Sequence, residues 1–437
     1  MIDMSVWRRA IVLGAVAMIM TGCHGLLDVN DPTHTSDDAI ANASGANARR
    51  LAASIYFSNF AGSSSVIGDV AYFTDEWTYD VPANDNTLTN RSALLDQRNG
   101  EALQALGGTD QHLGSLDAAF IQANLAIPAV RLYTPDSLRG DFLAQLYAIR
   151  GWSVVQMAED ICSGFPINDV VDNRAIYSGP VATDSALVLA NIQLDSAIKY
   201  VRDSTRFITL ARVTKGRALL DQGKYAEAAS VVAPVLTTSI YATERNNQIT
   251  VFDRWCMGCE MTAVSNNEGG NGLPFGSAAD PRVPAFVQGP RNTNAADTLY
   301  YTTLGSHDND RTVLASGIEA RLIQAEAALH SNQNWKAILD SLRITVGLDT
   351  LVDPGTTDAR VDLLYRERAF WLFMTGRRLG DMRRLIKNYN RSPESVFPTG
   401  PYPGGTGGSY GSSTSIPFML AEQQRYNPYI TAACSSM

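Results

Sequence analysis

The chain has 437 residues, 45% of them hydrophobic, and its 44 acidic residues outnumber its 35 Lys and Arg to give a formal net charge of −9. This balance argues against nucleic-acid binding, which depends on basic side chains that neutralise phosphates. It also argues against electrostatic docking onto an anionic membrane surface.

Residues 1–22 predict a lipoprotein signal peptide. The basic Trp7-Arg8-Arg9 precedes an apolar run, Ala10 to Met20, which is too short for a bilayer span of roughly 20 residues. Met20-Thr21-Gly22-Cys23 then has the small residues of a lipobox, so we expect acylated Cys23 to anchor a mature chain of residues 23–437. An ordinary secretory signal is the alternative. In Gram-negative bacteria, Asp after the lipidated cysteine usually retains a lipoprotein in the inner membrane. His24 stands at that position here, so we expect this lipoprotein to be anchored in the outer membrane.

Four further cysteines favour disulfide bonds in an exported protein. Cys256 and Cys259 are separated by two residues, and we predict a loop disulfide between them. A redox dithiol or half of a zinc site is less consistent with the sequence, because no second pair and no nearby His accompanies them. The pairing of Cys162 and Cys434 stays open. We expect no metal site and no cofactor.

Most of the chain from residue 36 onward has apolar residues at helical spacing, most clearly over 36–60, 116–133, 142–161 and 188–201. Alternating strand patterns are scarce, so we predict an all-α fold. Four large aromatic residues fall at core positions of these helices and are predicted to be buried: Trp152, Trp335, Trp371 and Tyr225.

Two segments carry the small-residue pattern of a tetratricopeptide repeat. In 212–236, Gly216 and Ala228 stand where two helices approach, and Gly223 stands at the turn. A second copy spans 318–343. We predict helix pairs of this type near 141–163, 208–236 and 316–345.

Long irregular insertions separate these pairs, near 62–113, 238–312 and 388–437, and they are rich in Gly, Asn, Ser, Thr, Asp and aromatic residues. Long loops on a rigid helical scaffold are typical of binding proteins.

Sugar recognition needs flat apolar rings beside amides or carboxylates, and two insertions offer that mixture. The main candidates for ligand binding are Asp75, Glu76, Trp77, Tyr79 and Asn84. The further candidates are Phe275, Tyr300 and Tyr301, together with Asn266-Asn267-Glu268. The alternative for Trp77 and Tyr79 is that their rings pack against the scaffold.

No catalytic signature is evident. Asp75-Glu76, Asp308-Asn309-Asp310 and Glu367 could supply paired carboxylates for glycoside hydrolysis, but acidic loop residues are more often solvated or capping. Asp308 to Asp310 lacks the Gly and Glu of a calcium-binding EF-hand loop. Arg377-Arg378 and Arg383-Arg384 could clamp an anion, although a structural ion-pair helix is the favoured interpretation.

Several short sequence motifs resemble those of the SusD/RagB family of outer-membrane lipoproteins. They are Leu26-Leu27-Asp28-Val29 with Pro32; Ala279 to Pro284; Glu319 to Leu329 with Leu342-Arg343 and Gly347-Leu348; Glu367-Arg368 with Gly376, Arg378, Asp381 and Arg383-Arg384; and Ile416-Pro417 with Glu422 and Asn427-Pro428. The sequence departs from the family pattern at Trp371, Thr375 and Gly380.

The resemblance covers nearly the whole mature chain, and it implies a SusD-like fold without catalytic activity. It also implies a surface lipoprotein that captures an oligosaccharide or a peptide and pairs with a SusC-like TonB-dependent transporter. We expect a glycan ligand. The alternatives are a peptide- or protein-binding repeat lipoprotein and a surface glycoside hydrolase.

Overall fold

Helices dominate the structure, a computed structural model that describes residues 41–61, 64–80, 90–106, 111–171, 174–243, 262–290, 297–304, 311–403 and 408–433. This confirms the predicted all-α class. The first seven α-helices are α1 Ala43–Tyr56, α2 Asp69–Phe73, α3 Arg91–Asp96, α4 Gly100–Ala105, α5 Gln111–Tyr133, α6 Asp136–Asp160 and α7 Thr183–Tyr200. The remainder are α8 Thr205–Asp221, α9 Tyr225–Val232, α10 Gly317–His330, α11 Trp335–Ile344, α12 Thr357–Trp371, α13 Arg378–Tyr389, α14 Pro393–Val396 and α15 Leu420–Tyr426.

The strands are short and antiparallel. They are β1 Trp77–Tyr79, β2 Asp169–Val171, β3 Arg174–Ile176, β4 Ile240–Ala242, β5 Thr262–Val264, β6 Ala285–Pro290, β7 Thr298–Thr302 and β8 Val313–Ser316. A four-stranded sheet has the order β1-β5-β7-β6, and β2-β3 and β4-β8 form two-stranded sheets. The larger sheet joins residues far apart in sequence, since Trp77 pairs with Val264 and Val264 pairs with Tyr300.

Consecutive helices from α5 to α11 pack against one another and form the scaffold. Small residues set the distance between neighbouring helices. A side chain at Gly216 in α8 would place its Cβ 2.5 Å from Val232 Cγ1 in α9 and 3.1 Å from Ile323 Cδ1 in α10. Gly223 lies in the turn between α8 and α9 with φ of +72°. The three helices therefore approach one another at Gly216, where a side chain would clash, and Gly223 provides the left-handed turn between two of them.

Helices α5 to α9 share one apolar core with part of α10, and a second core lies around α2, β1, the rest of α10, α11, α12 and α13. Trp152 belongs to the first core and Trp335 to the second, while Trp371 is only partly buried. The packing face of Tyr225 is covered by the ring of His330, whose centroid lies 3.9 Å away.

A buried histidine bridges two carboxylates at the junction of α2, α5 and α6. His112 Nδ1 lies 3.1 Å from Asp69 Oδ2, and Nε2 lies 3.0 Å from Asp160 Oδ2. Burial alone would lower the pKa of His112, but the hydrogen bonds and charges of Asp160 and Asp69 outweigh it and raise the pKa to about 9. At neutral pH the imidazole of His112 is therefore protonated, and its two hydrogen bonds link the three helices.

Helix α5 is the one described helix long and apolar enough to cross a membrane. Its most apolar stretch is 61% buried, however, and residues such as Leu116, Phe120 and Ile127 lie in the scaffold core. The length and apolarity of α5 therefore match those of a core helix equally well.

Cys162 is buried and takes part in a disulfide bond. The backbone beside it pairs with the C-terminal segment, because Cys162 N donates to Ile416 O at 3.3 Å. The other cysteines, including the predicted lipid site Cys23 and the predicted pair Cys256 and Cys259, lie outside the described residues. The predicted signal peptide, Asn84 and Asp308 to Asp310 also lie outside them.

Candidate ligand-binding cleft on the four-stranded sheet

Asp75, a predicted ligand contact, is fully buried beneath the sheet. Its carboxylate accepts two hydrogen bonds from Arg378, at 2.6 Å from Nε and 2.9 Å from Nη2. Oδ2 also accepts from the backbone N–H of Leu273 at 2.8 Å. Asp75 therefore fixes α13 and the 265–276 segment against β1.

Glu76 is buried as well. Its Oε1 accepts from the backbone N–H of Met374 at 3.2 Å, while Oε2 has no partner among the described residues. Burial raises the pKa of Glu76 to about 8, so the carboxyl group is mostly protonated at neutral pH. A neutral buried carboxyl group is a structural element here and not a charged ligand contact.

The rings of Trp77 and Tyr79 lie in the second core. Tyr72 stands edge-on to both, with ring centroids 5.4 Å from Trp77 and 6.1 Å from Tyr79. Trp77 is 0% exposed and Tyr79 is 4% exposed. Both rings therefore pack in the interior, which was the alternative to ligand binding. In this conformation no ligand can stack on either ring.

Phe275 occupies a similar interior position. Its ring centroid lies 5.0 Å from those of both Phe370 and Phe373, and it is fully buried. Asp75, Glu76, Trp77, Tyr79 and Phe275 therefore form the support of the sheet. Any effect that they have on a ligand is exerted through the strands that they hold.

Tyr300 is the predicted aromatic residue that reaches an open surface. It is half-buried on β7 and lines a cleft of about 720 Å³. Tyr301, its neighbour, is not among the residues lining that cleft and faces Phe286 of β6, with ring centroids 5.4 Å apart. The two adjacent tyrosines thus have different surroundings, and only Tyr300 contributes to the cleft.

The cleft lies between the sheet, a turn after β5 and the segment after α14. Besides Tyr300, the polar residues that line it are Thr78, Asn266, Asn267, Glu268, Asp297, Thr298 and Thr399. Asn266 Oδ1 accepts from Ser277 N and Oγ at 3.0 and 2.7 Å, which leaves its Nδ2 to donate. The described lining includes two carboxylates and no Lys or Arg, so it favours a neutral or cationic ligand over an anion.

A glycine fixes the distance between two walls of the cleft. Gly269 has φ of +59°, and a Cβ there would lie 2.3 Å from Thr399 N and 2.7 Å from Pro398 Cα. Asn271 Nδ2 holds the same walls together by donating to Phe397 O at 2.7 Å and to Glu394 O at 2.9 Å. The turn and the segment after α14 therefore form one continuous rim.

The same rim is attached to the C-terminal segment. Glu268 is buried and accepts a hydrogen bond from the hydroxyl of Tyr410. Burial and the nearby Glu268 raise the pKa of Tyr410, which therefore stays protonated and donates. Residues Thr399, Gly400, Pro401 and Pro403 were missed as individual candidates in the sequence. Their Gly and Pro content indicated a turn but nothing about its neighbours.

The arginine cluster of α13 is structural in its contacts. Arg378 pairs with Asp75, and Arg383 Nη1 donates to three backbone carbonyls at the end of α6. Arg384 bonds to Glu326 at 2.8 Å and to Asp381 at 2.7 Å. The fourth member, Arg377, donates to Leu314 O at 2.7 Å. All four guanidinium groups are bound to interior groups: Arg378 and Arg384 form ion pairs, as the structural interpretation expects, whereas Arg383 binds backbone carbonyls.

The candidate carboxylate Glu367 is held by arginines in the interior. Glu367 accepts from Arg282 and Arg343, each at 2.6 Å, and is fully buried. No group of three His, Cys, Asp or Glu residues that could hold a metal ion occurs among the described residues.

No family model matches the sequence, and no curated protein matches it. Solved structures do match. A SusD-like carbohydrate binding protein from Bacteroides vulgatus is 15% identical with a TM-score of 0.59, covering 78% of this chain and 83% of that one. NanU from B. fragilis is 10% identical with a TM-score of 0.66, covering 93% and 100%. A SusD superfamily protein from Parabacteroides distasonis is 14% identical with a TM-score of 0.64, covering 89% and 98%.

These similarities establish that the chain has a SusD-like fold. They confirm, at the level of the fold, the resemblance that the sequence phrases indicated.

Proposed function

We propose that this protein is a surface lipoprotein that binds an extracellular oligosaccharide in the cleft beside Tyr300. The observation that carries the proposal is the combination of a half-exposed aromatic ring, two asparagine amides and two carboxylates around one open cleft. Rings cover the apolar faces of pyranoses, and amides and carboxylates bind hydroxyl groups in fixed geometry.

The size of the cleft supports a small ligand. About 720 Å³ falls within the roughly 300–1,000 Å³ of sites for small molecules. The absence of Lys and Arg from its described lining favours a neutral glycan over a sulfated or uronate-rich one. One structure of the same fold is described as that of a carbohydrate binding protein, which agrees with this choice.

Delivery to a SusC-like TonB-dependent transporter and attachment to the outer membrane through Cys23 are parts of the same proposal. They rest on the lipobox-like Met20 to Cys23 and on the SusD-like fold. A binding protein with this role captures its ligand without converting it.

The test uses the chain from residue 24 onward, which retains every described helix and strand. We would screen soluble starch, inulin, xylan and mannan, with a casein hydrolysate as the peptide pool, by affinity electrophoresis and then calorimetry. We expect saturable binding of one neutral glycan, with up to roughly a tenfold loss in Tyr300→Ala, since an aromatic contact contributes about 0.5–1.5 kcal/mol.

Tyr301→Ala is the matched control, because it removes the same ring from the adjacent position outside the cleft. Equal losses in both variants, or none in Tyr300→Ala, would contradict the proposed site. Peptide binding alone would support the peptide-binding alternative. Release of shortened sugars, followed by chromatography, would contradict capture without turnover.

A further inference from the structure

A second cleft, of about 770 Å³, lies in the helical scaffold between α5, α6 and β2, and it shares no lining residue with the cleft beside Tyr300. Three arginines line it, one from each of α1, α5 and α6: Arg49, Arg131 and Arg150. No Asp or Glu is among its described lining residues. In a chain of net charge −9, this is a local concentration of positive charge.

Two of these arginines have no carboxylate partner among the described residues. Arg49 forms no ion pair there. Arg131 donates to the hydroxyl of Tyr147, a neutral group, and its guanidinium lies 6.0 Å from that ring. No described carboxylate therefore neutralises Arg49 or Arg131, and their charges are available to a ligand.

Arg150 lies deeper, with its side chain 10% exposed. Its Nη2 donates to Asp169 Oδ2 at 3.1 Å, and Nη1 donates to Asn124. Asp169 therefore offsets one of the three positive charges. The Nε–H of Arg150 has no hydrogen-bond partner among the described residues, and neither has Oε1 of Gln193, which lines the same cleft. An unsatisfied donor and an unsatisfied acceptor together indicate a place where a polar ligand would be accommodated.

The cleft also has aliphatic lining that is open to solvent. Leu132 is 70% exposed and Val171 is 51% exposed, and Pro128 and the buried Ile127 line the same cleft. Large aliphatic side chains at such exposure gain stability when a ligand covers them. The cleft thus combines guanidinium groups with exposed aliphatic surface.

We propose that this cleft binds an amphipathic carboxylate, an organic acid whose carboxylate pairs with Arg49 and Arg131 and whose apolar body covers Leu132 and Val171. The site is independent of the proposed glycan cleft. Its ligand is an anion, whereas the glycan cleft favours a neutral or cationic ligand. Arginine suits this role because its planar fork bonds both oxygens of a carboxylate.

The probe is 2-naphthylacetate, compared with the uncharged 2-naphthylacetamide, in equilibrium dialysis against the chain from residue 24 onward. We expect saturable binding of the acid, and about a tenfold higher Kd for the amide and for each of Arg49→Gln and Arg131→Gln, which is the effect of losing one charged hydrogen bond. The Kd of the acid should also rise with salt concentration.

Arg139→Gln is the control. Arg139 is an exposed arginine of α6 that pairs with Asp136 and does not line the cleft, so its loss should leave the Kd unchanged. Because Arg49 and Arg131 lie at the surface of the scaffold, neither substitution should alter folding, and circular dichroism checks this. Equal binding of acid and amide, an unchanged Kd in both arginine variants, or no saturable binding of the acid would overturn the proposal.

Discussion

The guanidinium of Arg378 donates a hydrogen bond to each oxygen of the Asp75 carboxylate, although the two residues are 303 positions apart in the chain. The pair connects the segment before β1 to the first turn of α13, and it is buried on both sides. Burial opposes the charged form of Arg378, but Asp75 outweighs that effect and raises the pKa of Arg378. The ion pair therefore joins the N-terminal and C-terminal parts of the second core.

Asp75→Asn should destabilise the protein by about 3 kcal/mol, because it leaves the buried charge of Arg378 without its counter-ion. Asparagine still accepts from the backbone N–H of Leu273, so the loss reports the ion pair. The measurement is the free energy of unfolding in urea. Asp353→Asn, which breaks the exposed pair with Arg360, is the control and should change little. A similar loss in both variants would contradict this account.

Glu76→Gln should make the protein less sensitive to pH between about 4.5 and 8. The folded-state pKa of Glu76 is raised to about 8 from an ordinary 4.5. Its contribution to stability is therefore complete below pH 4.5, declines as the pH rises, and is level above pH 8. Glutamine has no such decline, so the variant should gain roughly 3 kcal/mol on the wild type between pH 5 and pH 8. Urea unfolding at the two pH values measures this, and an equal difference at both would contradict it.

His112→Gln should destabilise the protein most at low pH. The folded-state pKa of His112 is about 9, above the ordinary 6.5, so its contribution is complete below pH 6.5 and is lost as the pH rises through 9. We expect a loss of about 2 kcal/mol at pH 6, which shrinks towards pH 10.

The titration of His112 itself can be followed by NMR of its imidazole carbons. His330→Gln is the matched control, since His330 is exposed and stacks on Tyr225 with no carboxylate partner among the described residues. A measured pKa near 6.5 would contradict this account, because His112 would then not be protonated between Asp69 and Asp160 at neutral pH.

Gly269→Ala should deform the cleft beyond the cost of its backbone conformation. Gly269 and Gly270 both have positive φ, of +59° and +78°, but a Cβ meets Thr399 only at Gly269. Gly270→Ala is thus a control for backbone strain alone, at about 1 kcal/mol. We expect a larger fall in melting temperature for Gly269→Ala, together with weaker glycan binding. Equal effects in the two variants would show that the close approach to Thr399 is not maintained.

The scaffold could be predicted because its signals are local. Gly216, Gly223 and Ala228 fall within 13 residues of one another, and the spacing of small residues directly determines how α8 and α9 meet. Helical periodicity repeats every few residues, so each helix can be recognised without knowing its neighbours.

The cleft could be predicted only in part, because exposure depends on distant partners. The 72–80 segment has the composition of a ligand surface, yet Tyr72 bonds to Thr262, 190 residues away, and β1 pairs with β5 in the sheet. Nothing local distinguishes the buried Trp77 from the accessible Tyr300. Tyr300 and Tyr301 differ only in which face of β7 each occupies, and that depends on the register with β6.

The rim of the cleft also determines when a newly made chain becomes able to bind. Its walls come from residues 78, 264–270, 297–300 and 399–403, and Tyr410 closes it from beyond the last of these. A chain that emerges N-terminus first can form the α5 to α9 scaffold early, because those contacts are short-range. The cleft needs pairings across more than 120 residues, which form slowly. A complete cleft therefore requires the chain as far as Tyr410, whereas the α5 to α9 scaffold does not.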